Sequence, residues 1–454
     1  MPTNRLVRDA KLAGLPVAYA GRRMAGRGRR LLGRSAADID RQVQLRTAEH
    51  LFEVLGELKG CAAKVGQMAA VYRSILPFDA VGPEWAELAE AAGEAMSRLQ
   101  DSVPPMLPGL VHQVLAANFG DGWRGLFRSF EDRPAAAASL GQVHRAVWHD
   151  GRAVAVKVMY PGVREAAAAD LRTLRGLTGV IGAVMPGADV GGIVEMVCRM
   201  VTEELDYRRE AAHQRIFAEA FAGDTRFLVP DVIECADDVL ISEWVPGKSF
   251  GTLVADASPG DRSRAGLAIL EFLEAAKMRC EMLYSDVHPG NFLLLPDGRI
   301  GVVDFGACAP VPPQLRRIVA DLGDALYNGT PEQLETSLRA YGFVQPGQEF
   351  EVDELVRAIS PFLDVLLQDD FRLTTGWMRE QVGVITRIQL SNVFRQMTLP
   401  PELTVMARAT VSALGVLCQL GTGPIRDVFL CGWPELAEVV RTYEIGSKRA
   451  ETLI

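Results

Sequence analysis

The stretch "YSDVHPGNFLLLPDGRIGVVDFGA", residues 284–307, decides the fold. Its apolar residues fall in two short runs around Pro296-Asp297-Gly298, a pattern that predicts a β-hairpin with Asp297-Gly298 at the tip. Asp286 and Asn291 stand five apart across a Pro-Gly turn just before the first run. Asp304 follows the second run and precedes Gly306, so its carboxylate is presented at a tight turn. Asn291 and Asp304 then lie at the two ends of one hairpin. Magnesium favours few carboxylates completed by phosphate oxygens and water, and this pair supplies such a donor set. Two readings of His288 stand: a structural hydrogen bond within the loop, or acid–base work between Asp286 and Asn291.

Working outward, "AVAVKV" at 153–158 places Lys157 in an otherwise apolar strand. A buried ammonium is costly unless it is paired, and one solution aims it at nucleotide phosphates beside a helical Glu. The surrounding periodicity changes near residue 126. "LFRSFEDRP", "SLGQVHRAVWHDG" and "RAVAVKVMYPG" read as strands, with His149-Asp150-Gly151 as a hairpin signal. Residues 162–222 return to a helical pattern, and "FLVPDVIECADDVLISEWVPG" gives two more strands around Asp237-Asp238. From about residue 249 the chain is helical apart from the opening hairpin. The fold class expected is α+β, mostly helical: a two-lobed, protein-kinase-like fold behind an N-terminal helical extension. Expected boundaries are a basic flexible arm at 1–35, the extension at 36–116, an N-lobe with inserted helices at 117–247 and a helical C-lobe at 248–454. Lys157, Asp286, Asn291 and Asp304 occur in the order and settings of a kinase site, with Asp286 facing the acceptor and Asn291 and Asp304 holding the metal.

The departures from an ordinary protein kinase are equally informative. The loop over the phosphates is usually Gly-rich, whereas "PAAAASLGQVH" at 134–144 carries Ala135, Ala136, Ala137 and Ala138 followed by Ser139. Alanine tolerates positive φ poorly, so this loop is expected to lie differently. Tyr284 and Ser285 replace the usual His-Arg before the catalytic Asp, leaving no receiver for an activation-loop phosphate. After Gly306 the chain runs "ACAPVPPQLRRIVADL" directly into a helix, without an Ala-Pro-Glu. Upstream, "GELKGCAAKVGQMAAVY" at 56–72 sets Lys64 and Gln67 on one helical face, with Gly66 and other small residues around them.

With these motifs together, the sequence resembles the UbiB/AarF/ADCK family of atypical kinase-like proteins, the activity-of-bc-one kinases, over roughly residues 45 to 420. The matching residues are Lys64-Val65-Gly66-Gln67, the Ala-rich loop, "VAVKV", "EELDYRREA", "SDVHPGN" and "VDFG". The resemblance implies that the Lys-x-Gly-Gln helix covers the active-site cleft, where a peptide substrate would otherwise lie. It implies that Glu204 and Asp206 meet that extension and that Glu210 pairs with Lys157. Asp206 and Glu210, four apart, are expected on one helical face. Nucleotide contacts are assigned to the Ala-rich loop, Ser139, Lys157, Glu243 and Val245. His213-Gln214 stands where many members have Ala-Asn, and Tyr284 and Val287 also depart from the commoner loop.

The implied cofactors are ATP and Mg²⁺. The implied activity is ATP hydrolysis or small-molecule phosphorylation linked to isoprenoid-quinone or other lipid metabolism, with a lipid or isoprenoid precursor as partner. Three other readings stand: a protein kinase whose extension swings away, a choline- or aminoglycoside-type phosphotransferase, and a non-catalytic ATP-gated scaffold for a membrane lipid-biosynthesis complex.

Composition sets the outer bounds. The chain has 454 residues, 48% hydrophobic and 23% charged, enough apolar material for a large core. A net charge of -9 argues against a nucleic-acid binder. Residues 1–50 nonetheless carry 11 Lys or Arg against 4 Asp or Glu, much of it in "GRRMAGRGRRLLGR". This segment reads either as a solvated arm or as an electrostatic foot on an anionic membrane. Seven scattered Cys without a CxxC pair predict neither a zinc site nor a disulfide framework. A cytoplasmic protein with peripheral membrane contact is expected. "LTGVIGAVMPGADVGG" and "LTVMARATVSALGVLCQLGTG" are read as buried soluble helices, the second because Arg408 interrupts it.

Overall fold

A computed structural model describes residues 105–179, 190–254, 257–387, 393 and 396–452. It is of mixed α+β class and kinase-like, and the described chain divides into two compact units. The first contains residues 105–211 and 232–244, the second 212–231 and 245 onward.

The first unit is built on a five-stranded antiparallel sheet. After helix α1 (Pro108–Phe119) come β1 (Phe127–Ala138), β2 (Gly141–Trp148) and β3 (Ala153–Met159). Helices α2 (Val163–Gly176), α3 (Val190–Glu204) and the start of α4 (Tyr207–Ala220) follow. In the second unit β4 (Phe227–Leu228) comes next, before β5 (Val232–Cys235) and β6 (Val239–Glu243) complete the first unit's sheet in the order β1-β2-β3-β6-β5. The two-residue period of β3 sorts its side chains between two cores. Val154, Val156 and Val158 are fully buried on the face shared with Val111 and Leu115 of α1 and with Trp123 and Trp148. Met159 faces the opposite core with Leu171, Leu174, Val201 and Tyr207. The His149–Gly151 turn closes β2 on β3, with Gly151 at φ 103, as the sequence predicts.

The Ala-rich segment differs from its expectation as a loop. Ala135–Ala138 continue β1, with Ala136 opposite Val143 and Ala138 opposite Gly141; only Ser139 and Leu140 form the turn. Alanine has no need of a positive φ here, and irregular register on both sides of Pro134 accommodates the proline on this edge strand. Gly141 is required by packing, since a Cβ there would stand 2.2 Å from the carbonyl oxygen of Val158.

The second unit is mostly helical and carries the predicted hairpin as β9 (Phe292–Leu294) and β10 (Ile300–Val302). These strands join β4 and β7 (Lys248–Ser249) in a four-stranded sheet, β4-β10-β9-β7. Gly298 takes φ 87 at the hairpin tip. Short helix α5 (Phe250–Leu253) precedes α6 (Pro259–Arg279), which starts at a Ser258 cap that accepts from Asp261 N at 3.2 Å. A second strand pair, β8 (Met282–Tyr284) with β11 (Cys308–Pro310), was not expected from the sequence: three-residue strands give too few alternations to read. Helices α7 (Leu315–Tyr327), α8 (Pro331–Ala340), α9 (Val352–Leu363), α10 (Thr375–Arg387), α11 (Thr404–Leu420), α12 (Arg426–Cys431) and α13 (Pro434–Thr452) complete the unit. Helix α11 coincides with the second apolar segment of the sequence. Arg408 is buried within it, but only 39% of its apolar window is buried. Most of the other apolar segment lies outside the described residues.

Candidate nucleotide and metal site

In the first unit the central strand β3 holds Lys157 opposite Leu240 of β6 and Val143 of β2. Its Nζ donates to both oxygens of Glu210, at 2.8 and 2.9 Å. The Glu210 side chain is 2% exposed and that of Lys157 17%. Nζ also stands 5.1 Å from the Tyr207 ring centroid, a cation–π partner that the sequence reading missed because a lone aromatic carries no spacing signal. The ammonium is thus held in one place with its charge balanced.

Glu210 lies in the first turn of α4. Asp206 does not share a helical face with it. Helix α3 ends at Glu204, and Asp206 sits in the break, where its Oδ1 accepts from Arg209 N at 3.0 Å. The carboxylate caps α4 because the first backbone N–H groups of a helix need an acceptor, which ends the helical register expected through this stretch. Glu243 closes β6, with Oε1 3.5 Å from Arg152, and Val245 is buried. Ala135–Ala137 are exposed, and Ala138 and Ser139 are half-buried.

In the second unit the hairpin register sets where Asn291 and Asp304 lie. Val303 N donates to Asn291 O at 3.2 Å, which extends the β9–β10 ladder by one residue and sets Asn291 beside the step before Asp304. Asn291 Nδ2 donates to Asp286 O at 3.2 Å, closing the catalytic-type loop on itself. Asp304 Oδ1 accepts from Gly306 N at 3.0 Å, fixing the carboxylate at its turn. His288 Nδ1 accepts from Gly290 N at 3.0 Å; this is the structural bond among the two roles considered for it. A side chain at position 290 would meet that ring at 2.8 Å.

The loop rests on an aromatic core. Phe305 is fully buried, 4.9 Å from Phe217 and 5.9 Å from Tyr284 between ring centroids. Burial, reinforced by the Asp304 carboxylate, pushes the Tyr284 phenol well above its ordinary range, so it stays neutral. His213 and Gln214 acquire partners that the sequence gave no reason to expect: His213 Nδ1 meets Phe305 O at 3.2 Å, and Gln214 Nε2 donates to Pro230 O at 2.7 Å.

The donor set fits magnesium. One carboxylate and one amide oxygen at the end of a hairpin are hard ligands that leave positions for phosphate oxygens and water. Among the described residues no group of three or more His, Cys, Asp or Glu could hold a metal. Lys64, Gly66 and Gln67 lie outside the described residues.

A strand lysine clamped by a helical glutamate, and an Asp-loop-Asn followed across a hairpin by Asp-Phe-Gly, define a kinase-like protein. The model of the ABC1 atypical kinase-like domain matches residues 98–337, more than half of the chain, and the chain belongs to that family. It is similar to the chloroplastic protein "activity of bc1 complex kinase 7" of Arabidopsis thaliana, 29% identical over 82% of this chain and 51% of that protein. It is also similar to the mitochondrial atypical kinase coq-8 of Caenorhabditis elegans, 31% identical over 68% of this chain and 40% of that protein. The chain therefore spans about half or less of these two curated relatives. A solved structure, the Rv3197-erythromycin complex of Mycobacterium tuberculosis, is 36% identical over 87% of this chain and 98% of that one, with a TM-score of 0.61.

Proposed function

We propose that this protein is an Mg²⁺-dependent, ATP-consuming enzyme that hydrolyses ATP or phosphorylates a small lipid-related molecule. The observation that carries this reading is the Lys157–Glu210 pair, a half-buried strand ammonium held by a buried carboxylate at 2.8 and 2.9 Å. Such a cation is suited to orienting phosphates. Lys157 binds phosphate oxygens, Asn291 and Asp304 hold the metal, and Asp286 positions the attacking water or hydroxyl and takes its proton. Magnesium, when bound, neutralises charge developing on the transferred phosphoryl group. The Ala135–Ala138 edge with Ser139 covers the nucleotide, and Glu243 and Val245 contact its base side.

The remaining assignments belong to the same proposal. Residues 1–35 form a basic arm and 36–116 an extension whose Lys64, Gly66 and Gln67 meet Glu204 and Asp206. Residues 117–247 and 248–454 form the two lobes. The arm provides peripheral contact with anionic membranes from a cytoplasmic-type compartment, and the acceptor is sought among lipid or isoprenoid precursors. The two relatives carry chloroplastic and mitochondrial names.

The test is Mg²⁺-dependent phosphate release from ATP by the full chain, with and without anionic liposomes, beside Asp286→Asn and Asp304→Asn. Turnover that rises with liposomes and disappears in both variants supports the proposal. Nucleotide binding without turnover under every condition leaves the ATP-gated scaffold instead. Macrolide binding is a second reading, favoured by the 36% identity to a chain solved with erythromycin. A melting-temperature rise that saturates with erythromycin concentration is its measurement.

A further inference from the structure

Helix α11 is, with the residues just before it, long and apolar enough to cross a membrane, yet less than half of that window is buried. Part of its remaining surface faces a cavity rather than open water. Met406, Ala413, Leu414 and Leu417 form one wall of a cavity of about 350 Å³ inside the second unit. Leu270, Leu283 and Leu417 at its base are buried, and Phe362, Trp377 and Met406 are half-buried. This volume lies within the range of small-ligand pockets, which are mostly apolar with a few polar groups that set orientation.

The polar groups are specific. Lys277 and Glu274 of α6 pair at 2.6 Å on the cavity wall, with side chains 13% and 8% exposed. The Lys277 ammonium also stands 4.2 Å from the Trp433 ring centroid. Trp433 lines the same cavity and is buried, and its Nε1 has no hydrogen-bond partner. A buried donor without an acceptor is costly, and an indole nitrogen can only donate. The ion pair is already balanced, so an added charge of either sign would compete with one of its members.

We propose that this cavity binds an uncharged amphiphile with an aromatic or branched aliphatic body and one acceptor oxygen, such as a ketone or ester, which takes the Trp433 N–H. The site is independent of the nucleotide chemistry proposed above. Its wall includes Tyr284, two residues before Asp286, so occupancy bears on the strand that leads into that loop.

The experiment titrates the full chain with 6-propionyl-2-dimethylaminonaphthalene, an uncharged two-ring ketone whose emission moves to the blue in apolar surroundings. 2-Dimethylaminonaphthalene, which lacks the ketone, is the control probe. The expected result is saturable one-site binding of the ketone. Ala413→Trp and Ala409→Phe, which fill the cavity, should each weaken it about tenfold or more while melting near the wild type. Trp433→Phe keeps an aromatic face toward Lys277 and removes the donor, so it should weaken the ketone about fivefold more than it weakens the control probe. Three results overturn the proposal. One is no saturable binding to the wild type, as when a segment of this chain or a partner helix already fills the cavity. The second is undiminished binding in a folded filling variant. The third is a Trp433→Phe effect of the same size for the ketone and the control probe.

Discussion

Glu210→Gln isolates what the buried ion pair contributes. The Glu210 carboxylate is 2% exposed and grips a Lys157 ammonium that is itself 17% exposed. Glutamine preserves the shape but replaces the carboxylate facing the ammonium with a neutral amide, while the Tyr207 ring stays at 5.1 Å. Removing one member of a buried pair costs about 3–5 kcal/mol, because the other charge stays desolvated. The ring returns about 1 kcal/mol of that at most at a partly desolvated site. A loss of about 3 kcal/mol is therefore expected for Glu210→Gln, and a similar loss for Lys157→Met. The double variant Lys157→Met/Glu210→Gln removes both charges, leaves no buried ion without its counter-charge and should lose only about 1–2 kcal/mol. The coupling between the two sites is then several kcal/mol, far above the ~0.5 kcal/mol expected of independent sites. Equilibrium urea unfolding of the full chain, followed by tryptophan fluorescence and far-ultraviolet circular dichroism without nucleotide, measures all four corners of the cycle. Additive losses would refute the reasoning: Lys157 would not be held by Glu210 in solution, and the site would lose its fixed cation.

Gly141→Ala should destabilise the sheet by about 1–3 kcal/mol, because its Cβ would stand 2.2 Å from a backbone oxygen that cannot swing away; an unchanged urea midpoint would contradict this. Phe305→Ala should cost about 3–5 kcal/mol, as it empties a fully buried site against Phe217 and Tyr284, and a loss below 1 kcal/mol would mean that this core is not packed as described. His144 is buried, with Nδ1 2.8 Å from the Glu131 carbonyl and Nε2 2.7 Å from Gln142 Nε2, and burial lowers its pKa. A lowered base contributes stability above its unfolded pKa of about 6.5 that is lost as pH falls toward the folded value. Melting temperatures from pH 8 to 5 should therefore drop more steeply in the wild type than in His144→Gln, and parallel curves would exclude the effect.

The parts legible in the sequence share a physical origin: local signals that need no distant partner. Asp297-Gly298 and His149-Asp150-Gly151 mark their turns because the glycines take positive φ at 87° and 103°. The strand read in "RAVAVKVMYPG" is β3, whose Val154, Val156 and Val158 share one buried face. The five-residue step from Asp286 to Asn291 survives as a hydrogen bond across the loop. What failed depended on competition or long-range pairing. Asp206 was expected on a helix face, but a capping position claimed its side chain. Ala135–Ala138 were expected in a loop, but β2 offered a ladder that the alanines could join. The partner of His213 is a carbonyl 92 residues away, which no local spacing could announce.

The short passage after Asp304 bears on the acceptor. Eight residues, 307–314, separate Gly306 from helix α7, and most of them are fixed to the strand before Asp286. Ser285 N donates to Ala307 O at 2.9 Å, Cys308–Pro310 pair with Met282–Tyr284, and Val311 N donates to Glu281 O at 2.8 Å. A protein kinase needs chain in this position that can be ordered by phosphorylation and can then hold a peptide. Here the backbone groups that would hold a peptide strand are already occupied by β8, and the chain enters a helix at Leu315. Releasing the segment would break the ladder that holds the strand leading into Asp286. Peptide docking at this position would therefore come at the expense of the loop to which the proposed function assigns Asp286, whereas water or a small acceptor makes no such demand.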